Sequence, residues 1–353
     1  MKTWLKVLAV LLLAYAVIAS FLFPLAPGGL AVDIDKISPG ENNFTLTGYN
    51  THFTDDSLQV FVASGETYFC CTILEVLDAN KVQVSVALPD TLPSNDIGFY
   101  ANTPVDGTVY VQKPISSKDF TFIEGVKPMS ACQVTVSNDE HRNFGYPFQI
   151  IIFETIRNLM WHVPMWFTMF VLMGISFAQS IRVLSKSGRE DALDASISFK
   201  TIDMYDLKAA TAANTGLLFC ILGLVTGSIW ARFTWGAWWT NDPQLNGAMV
   251  VFLMYMAYFI LRNSVNDEEK RARLAAIFNI FAFILMVVLL MVMPRFAEGL
   301  HPGKSGNPAF SSYDLDSSLR MVFYPAVLGY ILLGWWLYSI HLRIKKLEWR
   351  DEK

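Results

Sequence analysis

The sequence predicts an α-helical integral membrane protein with six transmembrane helices and an extracytoplasmic all-β sandwich domain inserted after the first. Three observations predict it. Of 353 residues, 53% are hydrophobic and only 16% charged, a balance too apolar for an ordinary soluble chain of this length. Six stretches, residues 5–23, 161–181, 209–230, 245–261, 274–293 and 321–340, are each long and apolar enough to cross the roughly 30 Å of bilayer hydrocarbon as a helix. Between the first two lies a polar section, residues 28–123, in which apolar and polar residues alternate with the period of a strand. The net charge of -4 provides no basic field for a nucleic-acid backbone, which excludes that class of partner.

Residues 1–27 form the first anchor. Lys2 and Lys6 precede its apolar core, as they would in a cleaved signal peptide, but Phe21-Leu22-Phe23-Pro24-Leu25 lacks the small-x-small pattern of a cleavage site, so a retained helix is expected. In residues 28–123, Ser57-Leu58-Gln59-Val60-Phe61-Val62 and Lys81-Val82-Gln83-Val84-Ser85-Val86 alternate as half-buried strands. Turn signals at Ser38-Pro39-Gly40-Glu41, Asp78-Ala79-Asn80 and Val105-Asp106-Gly107-Thr108 separate such runs at sandwich-like intervals. Ile37-Ser38-Pro39-Gly40 followed by Gly48-Tyr49-Asn50-Thr51-His52-Phe53 resembles the immunoglobulin-like IPT modules, which implies a binding or spacing domain without catalysis.

Residues 124–353 form a five-helix membrane domain with a cytoplasmic tail. Residues 144–160 are apolar but contain Glu154 and Arg157, so they are expected to form an interfacial helix rather than a seventh span. Six spans return the chain to its starting side. With both termini in the cytoplasm, most of the 27 Lys and Arg fall inside, in the 182–208 and 262–273 loops and the 343–353 tail. The outer loops then keep only Arg232, Arg295, Lys304 and Arg320. The four cysteines, Cys70, Cys71, Cys132 and Cys220, form no C-x-x-C pair; Cys132 can bridge to either Cys70 or Cys71, and the sequence does not choose.

The chemistry concentrates in the outer connection between the third and fourth spans, Trp230 to Leu245, where Trp230, Trp235, Trp238 and Trp239 surround Gly236 and the segment closes with Asp242. An aromatic belt at the lipid–water boundary needs only one or two indoles per helix end. Flat apolar walls with a few polar groups are instead the makings of a ligand site. Of the five histidines, His52 falls in the β domain, His141 in a charged outer segment and His341 at an inner helix end, where structural or hydrated roles suffice. His162, at the mouth of the second span, and His301, in the loop before the last, share the outer face with the tryptophans. Two neutral imidazoles from different segments can ligate a haem iron from opposite faces.

Three segments resemble the haem-handling proteins of cytochrome c biogenesis, the CcmC/CcsA tryptophan-rich family: Arg157-Asn158-Leu159-Met160-Trp161-His162-Val163-Pro164, Leu224 through Trp239 with Asp242, and Gly299-Leu300-His301-Pro302-Gly303. The likeness covers the first span and residues 144–343. It implies haem b, held transiently and without a covalent bond, with His162 and His301 as axial ligands and Trp235, Gly236, Trp238, Trp239 and Asp242 against the ring. It also implies delivery, without catalysis, to a membrane-anchored CcmE-like haem chaperone, with ABC-type transporter subunits as further partners. The family's usual Trp-Asp-x-Arg-Leu-Thr is here Asn241-Asp242-Pro243-Gln244-Leu245-Asn246, which removes an indole and a guanidinium; Arg232, Arg295 and Arg320 are left to meet the propionates. Two alternatives are a CcsA-type cytochrome c synthase core, to which Asp242-Pro243 leans, and a bis-histidine electron-transfer subunit. The first typically carries further histidines within its spans, and the second buries its ligands in the helix bundle.

Overall fold

The computed structural model describes residues 1–111, 119–123, 145–187, 195–301 and 315–351. These fall into two compact units, one formed by Met1–Leu22 with Thr155–Lys353 and the other by Phe23–Glu154.

The helical unit contains α1 (Thr3–Leu22), α2 (Leu159–Ser187), α3 (Ala195–Thr234), α4 (Pro243–Ser264), α5 (Glu268–Val287), the short α6 (Met293–Phe296) and α7 (Ser317–Asp351). A π-helical turn, Val288–Val292, joins α5 to α6. Among the described residues, six helices are long and apolar enough to cross a membrane, at the six places where the sequence predicts spans. Their shared core is built from Met169, Leu172 and Met173 of α2, Ala212 and Phe219 of α3, Tyr255 and Tyr258 of α4, Met286 of α5 and Tyr330 of α7. Leu11, Ile18, Phe281 and Ile284 stand exposed, as a lipid solvent requires of the outward faces. Polar links run between the helices. Asn279 donates to Ser176 Oγ and Ser180 Oγ at 2.7 and 2.8 Å, and Arg262 grips Asp206 through two bonds of 2.6 and 2.7 Å. Inside hydrocarbon such groups must find partners within the protein, so these links fix which helix faces meet.

In place of the expected interfacial helix over 144–160, a six-residue 3-10 helix, Phe153–Asn158, leads directly into α2, and Phe144 lies outside the described residues. Local ties explain the shorter element. Phe153 sits at φ 47°, which blocks a helix upstream, and Arg157 Nη1 donates to the Ser20 carbonyl at 2.5 Å.

The second unit is built on two four-stranded antiparallel sheets. One has the order β1 (Gly28–Val32), β2 (Gly40–Tyr49), β6 (Lys81–Leu88), β5 (Thr72–Asp78); the other β4 (Thr67–Cys70), β3 (Gln59–Ser64), β8 (Ile97–Thr103), β9 (Gly107–Val111). A short parallel pair joins β7 (Thr91–Leu92) to β10 (Thr121–Phe122). Phe44, Leu46, Val82 and Val84 from the first sheet share one core with Val60, Val62, Phe69 and Phe99 from the second. The alternating runs and turn residues of the sequence account for these strands: Gly40 and Gly107 take positive φ where β2 and β9 begin. Cys70 is the disulfide-bonded member of the vicinal pair, whereas Cys71 and Cys220 are free thiols; Cys132 lies outside the described residues. Burial pushes the Cys71 thiol up to about 12, so it is inert.

Candidate functional site

The site assembles at one end of the helical unit, where α3 stops and α4 starts. Trp235 N still donates to the Ala231 carbonyl at 2.8 Å, and the chain then turns at Gly236, whose φ of 78° suits a residue without Cβ. The Arg232 guanidinium donates to the Gly236 carbonyl and holds that turn shut. Trp230 Nε1 donates to Thr155 Oγ1 at 3.0 Å, which fixes the last turn of α3 against the entry to α2. Trp238 is 59% exposed; Trp239 Nε1 donates to Asn246 Oδ1 at 3.2 Å, and Asn246 donates in turn to Asn241 Oδ1 at 2.8 Å. The adjacent indoles are therefore held differently, one anchored at its nitrogen and one presented outward.

Asp242 closes the segment as the N-cap of α4, with Pro243 in the first turn. Its Oδ1 accepts from the backbone N–H groups of Gln244 and Leu245 at 2.9 and 3.2 Å. The same carboxylate reaches across 59 residues to the other loop: Oδ2 accepts from Leu300 N at 2.6 Å, and Oδ1 meets His301 Nδ1 at 2.8 Å. Gly299 makes this approach possible, because a Cβ there would lie 2.7 Å from Asp242 Oδ2. Asp242 is only 2% exposed, so it supports the loops rather than facing a ligand. Burial alone would raise its carboxyl pKa. The His301 hydrogen bond, with the Leu300 and Leu245 N–H groups, outweighs burial and holds it well below the usual carboxylate range.

An ionised carboxylate can only accept, so His301 carries its proton on Nδ1 and leaves the Nε2 lone pair free. That is the arrangement by which a carboxylate orients a histidine for a metal and raises its basicity. The Trp235 ring stands edge-on to the imidazole, with centroids 5.0 Å apart.

His162, 9% exposed on α2, is engaged at both nitrogens. Trp166 Nε1, a donor only, gives its proton to His162 Nε2 at 3.2 Å, so His162 also carries hydrogen on Nδ1. That hydrogen points to Thr226 Oγ1 at 3.1 Å, and the Thr226 hydroxyl in turn donates to the Leu222 carbonyl. Trp230 packs edge-on against the same imidazole at 5.7 Å. The structure thus brings His301, Asp242 and Trp235 together, with Gly236 and the Trp238–Trp239 pair in the same turn, and sets His162 against Trp230 of α3.

The arginines separate. Arg232 is committed to Gly236, and Arg295 Nε donates to the Met291 carbonyl at 3.2 Å. Arg320, near the start of α7, has a buried Nε without a hydrogen-bond partner. Of the remaining histidines, His341 lies 3.4 Å from Thr215 Oγ1, and His141 is outside the described residues, as is Lys304. Trp166 and Thr226 were not among the sequence candidates. The i, i+4 spacing of His162 and Trp166 was the available signal for one; Thr226 is 64 residues from His162, and only the packing of α2 on α3 brings it there.

Residues 151–301 match the family described as cytochrome C assembly protein. The chain is 28% identical to heme exporter protein C of Paracoccus denitrificans over 127 residues, 36% of this chain and 52% of that protein. It is 26% identical to heme exporter protein C of Rhodobacter capsulatus over 41% of this chain and 62% of the relative. Cytochrome c biogenesis protein CcsA of Prochlorococcus marinus is 29% identical over 35% of this chain and 39% of the relative. The matches thus span between about two fifths and three fifths of these relatives. The chain is a multi-pass membrane protein whose residues 151–301, which hold both candidate histidines and the tryptophan-rich turn, are similar to the CcmC/CcsA-type proteins of cytochrome c maturation.

Proposed function

We propose that this protein binds haem between His162 and His301 at the outer membrane face and hands it to a membrane-anchored haem chaperone during cytochrome c maturation. The observation that carries the reading is the Asp242–His301 pair: a buried carboxylate fixes the tautomer and direction of an imidazole whose Nε2 stays free beside the Trp235 ring. Haem brings an iron that takes axial nitrogen donors and two carboxylates that need partners. His301 is built as the first donor. His162 becomes the second once Trp166 releases Nε2. Arg320, with its unpartnered buried Nε, fits a propionate better than Arg232 or Arg295, which already serve backbone carbonyls.

In this reading the haem is b-type and transient, and the protein delivers it without catalysing a reaction. The chain lies in a bacterial inner membrane with both termini cytoplasmic, a placement supported by its Lys and Arg distribution. The immunoglobulin-like β domain is then extracytoplasmic, and ABC-type transporter subunits act with the chaperone. A CcsA-type synthase core is the second reading, favoured by the similarity to CcsA and by Asp242-Pro243.

The test replaces Trp235, Trp238 and Trp239 together by Leu, which keeps the hydrophobicity a lipid belt needs and removes the planar surface. Burying an indole against a flat ligand contributes on the order of 1–3 kcal/mol. Chaperone haem loading in cells, normalised to membrane levels of this protein, should fall at least tenfold. Normal loading by the Leu variant would make the segment an interfacial belt. Covalent haem attachment to an apocytochrome by the purified protein would establish the synthase instead.

A further inference from the structure

Strand β5 (Thr72–Asp78) differs from the other outer strands of the two sheets. β1, β4 and β9 each bury part of their length, whereas every residue of β5 is exposed. Four of its seven residues are nevertheless apolar: Ile73, Leu74, Val76 and Leu77 stand 38–51% exposed. They come as neighbouring pairs, so both faces of the strand carry apolar side chains. The sandwich core does not use them, since it takes Val82, Val84 and Val86 from β6 and Phe44 and Leu46 from β2.

Both ends of this strand are pinned. At its start, Cys71 N donates to the Val60 carbonyl at 2.8 Å; just past its end, the Ala79 and Asn80 carbonyls accept from Phe53 N and Gly48 N at 2.9 and 2.7 Å. β6 pairs with β5 on one side, and among the described residues no strand lies on the other. The outer backbone N–H and C=O groups are therefore held in line as a template for another strand. Proteins normally blunt such an edge with Lys, Pro or bulges. β5 has neither Lys nor Pro, and only two breaks in its register with β6, at Ile73/Glu75 and Val76/Asp78.

Charge narrows the occupant. Residues 23–154 carry sixteen Asp and Glu against six Lys and Arg, so this unit is strongly acidic although the whole chain stands only at -4. Asp78 has Lys81 opposite it on β6, but Glu75, in mid-strand, has the neutral Gln83. An acidic unit repels a second copy of itself and an anionic bilayer surface, and attracts a cationic chain.

We propose that the outer edge of β5 is a docking site for an extended, basic segment of a partner protein, which adds as a further strand to the β1-β2-β6-β5 sheet. The main chain of that segment pairs with the edge, its apolar residues cover Leu74 and Leu77, and its cations meet Glu75. This docking role is independent of the haem reading.

The probe is a fluorescent eight-residue peptide alternating Lys and Val, titrated by anisotropy into the detergent-solubilised full-length protein at about 0.15 M salt, where surface attraction is screened beyond roughly 8 Å. It should bind at least tenfold more tightly than a Glu–Val peptide, and than the fully N-methylated Lys–Val peptide, which keeps the charge and cannot donate to the edge. Glu75→Lys and, separately, Leu74→Ser/Leu77→Ser should each weaken binding at least fivefold. Asp96→Lys, at an exposed position just before β8 in the other sheet, should change it less than twofold. Thermal melting checks that these exposed substitutions keep the fold. Failure of the Lys–Val peptide to bind overturns the proposal. An N-methylated peptide that binds as well, or equal losses from Asp96→Lys and Glu75→Lys, overturns it in favour of diffuse attraction to an acidic surface. Peptide binding lost on reconstitution into phosphatidylcholine vesicles gives the edge to the bilayer, and a wild-type dimer dissolved by Leu74→Ser/Leu77→Ser gives it to a second copy; either result also overturns the proposal.

Discussion

His301 and His162 both stand in the segment matched by the cytochrome c assembly family, yet they are prepared in opposite ways. His301 sits on a loop, its proton fixed by a buried carboxylate and its Nε2 free. His162 sits inside a helix, and its Nε2 is already the acceptor of an indole N–H from the next turn. In the proposed function one ligand is set in advance and the other is capped. A carrier of that kind gains from this inequality, because two fully prepared ligands would hold iron too firmly to pass it on.

The largest effect that tests the comparison is loss of the prepared ligand. His301→Ala should lower haem affinity by about 100-fold or more, beyond the range for losing a ligand's hydrogen-bond partner, and His162→Ala should cost less. Equilibrium haem titration with Soret detection checks the order, and equal losses would break the distinction. Asp242→Asn comes next. Asn caps a helix about as well as Asp, but its single oxygen cannot serve the cap N–H groups and Leu300 N together, and the carboxylate charge behind His301 is gone. Affinity should fall about 10-fold or more, and the ferrous iron–histidine stretch should shift to lower frequency. An unchanged stretch would mean that Asp242 only caps α4.

Trp166→Phe sharpens the comparison from the other side. It keeps the ring and removes the N–H that occupies His162 Nε2. With a hydrogen bond contributing about 1 kcal/mol net, haem should bind roughly 5-fold tighter and leave more slowly for the chaperone. Weaker binding would show that Trp166 orients His162 rather than capping it. The smallest expected effect concerns pH. Because the Asp242 pKa is depressed by folding, the support it lends the two loops is fully present above the ordinary carboxylate value, roughly 3.9. That support is lost only as the pH falls toward the depressed value. Near-UV circular dichroism of the tryptophan turn in the haem-free protein should therefore stay flat from pH 9 to 5. A transition inside that window would contradict the assignment.

The spans and the strand runs were legible because each depends on local pattern, apolar length for the helices and alternation for β3 and β6, whereas residue type and placement could only single out His162 and His301 as candidates. Three features were not legible. The link from Asp242 to His301 crosses 59 residues and exists only once α4 and the loop after α6 meet. The choice of Cys70 over Cys71 depends on which neighbour along one strand end points out of the core, and Cys71 packs against it. Residues 144–160 looked amphipathic, but Phe153 at positive φ and the tie from Arg157 to Ser20 left only a short 3-10 helix. Each depends on contacts between segments distant in sequence or on a backbone angle that composition does not reveal.

The π-helical turn Val288–Val292 between α5 and α6 sets the rotational phase of everything that follows it. One extra residue in a helical turn rotates the downstream chain by about 100° relative to an uninterrupted α-helix. Without that offset, α6 would leave the membrane on another bearing, and Gly299, Leu300 and His301 would be carried around the helix axis away from the cap of α4. The meeting of His301 with Asp242 therefore depends on a miscount built into a helical turn none of whose residues is buried, and a single-residue deletion within 288–292 would move His301 away from Asp242 while changing no residue of the site.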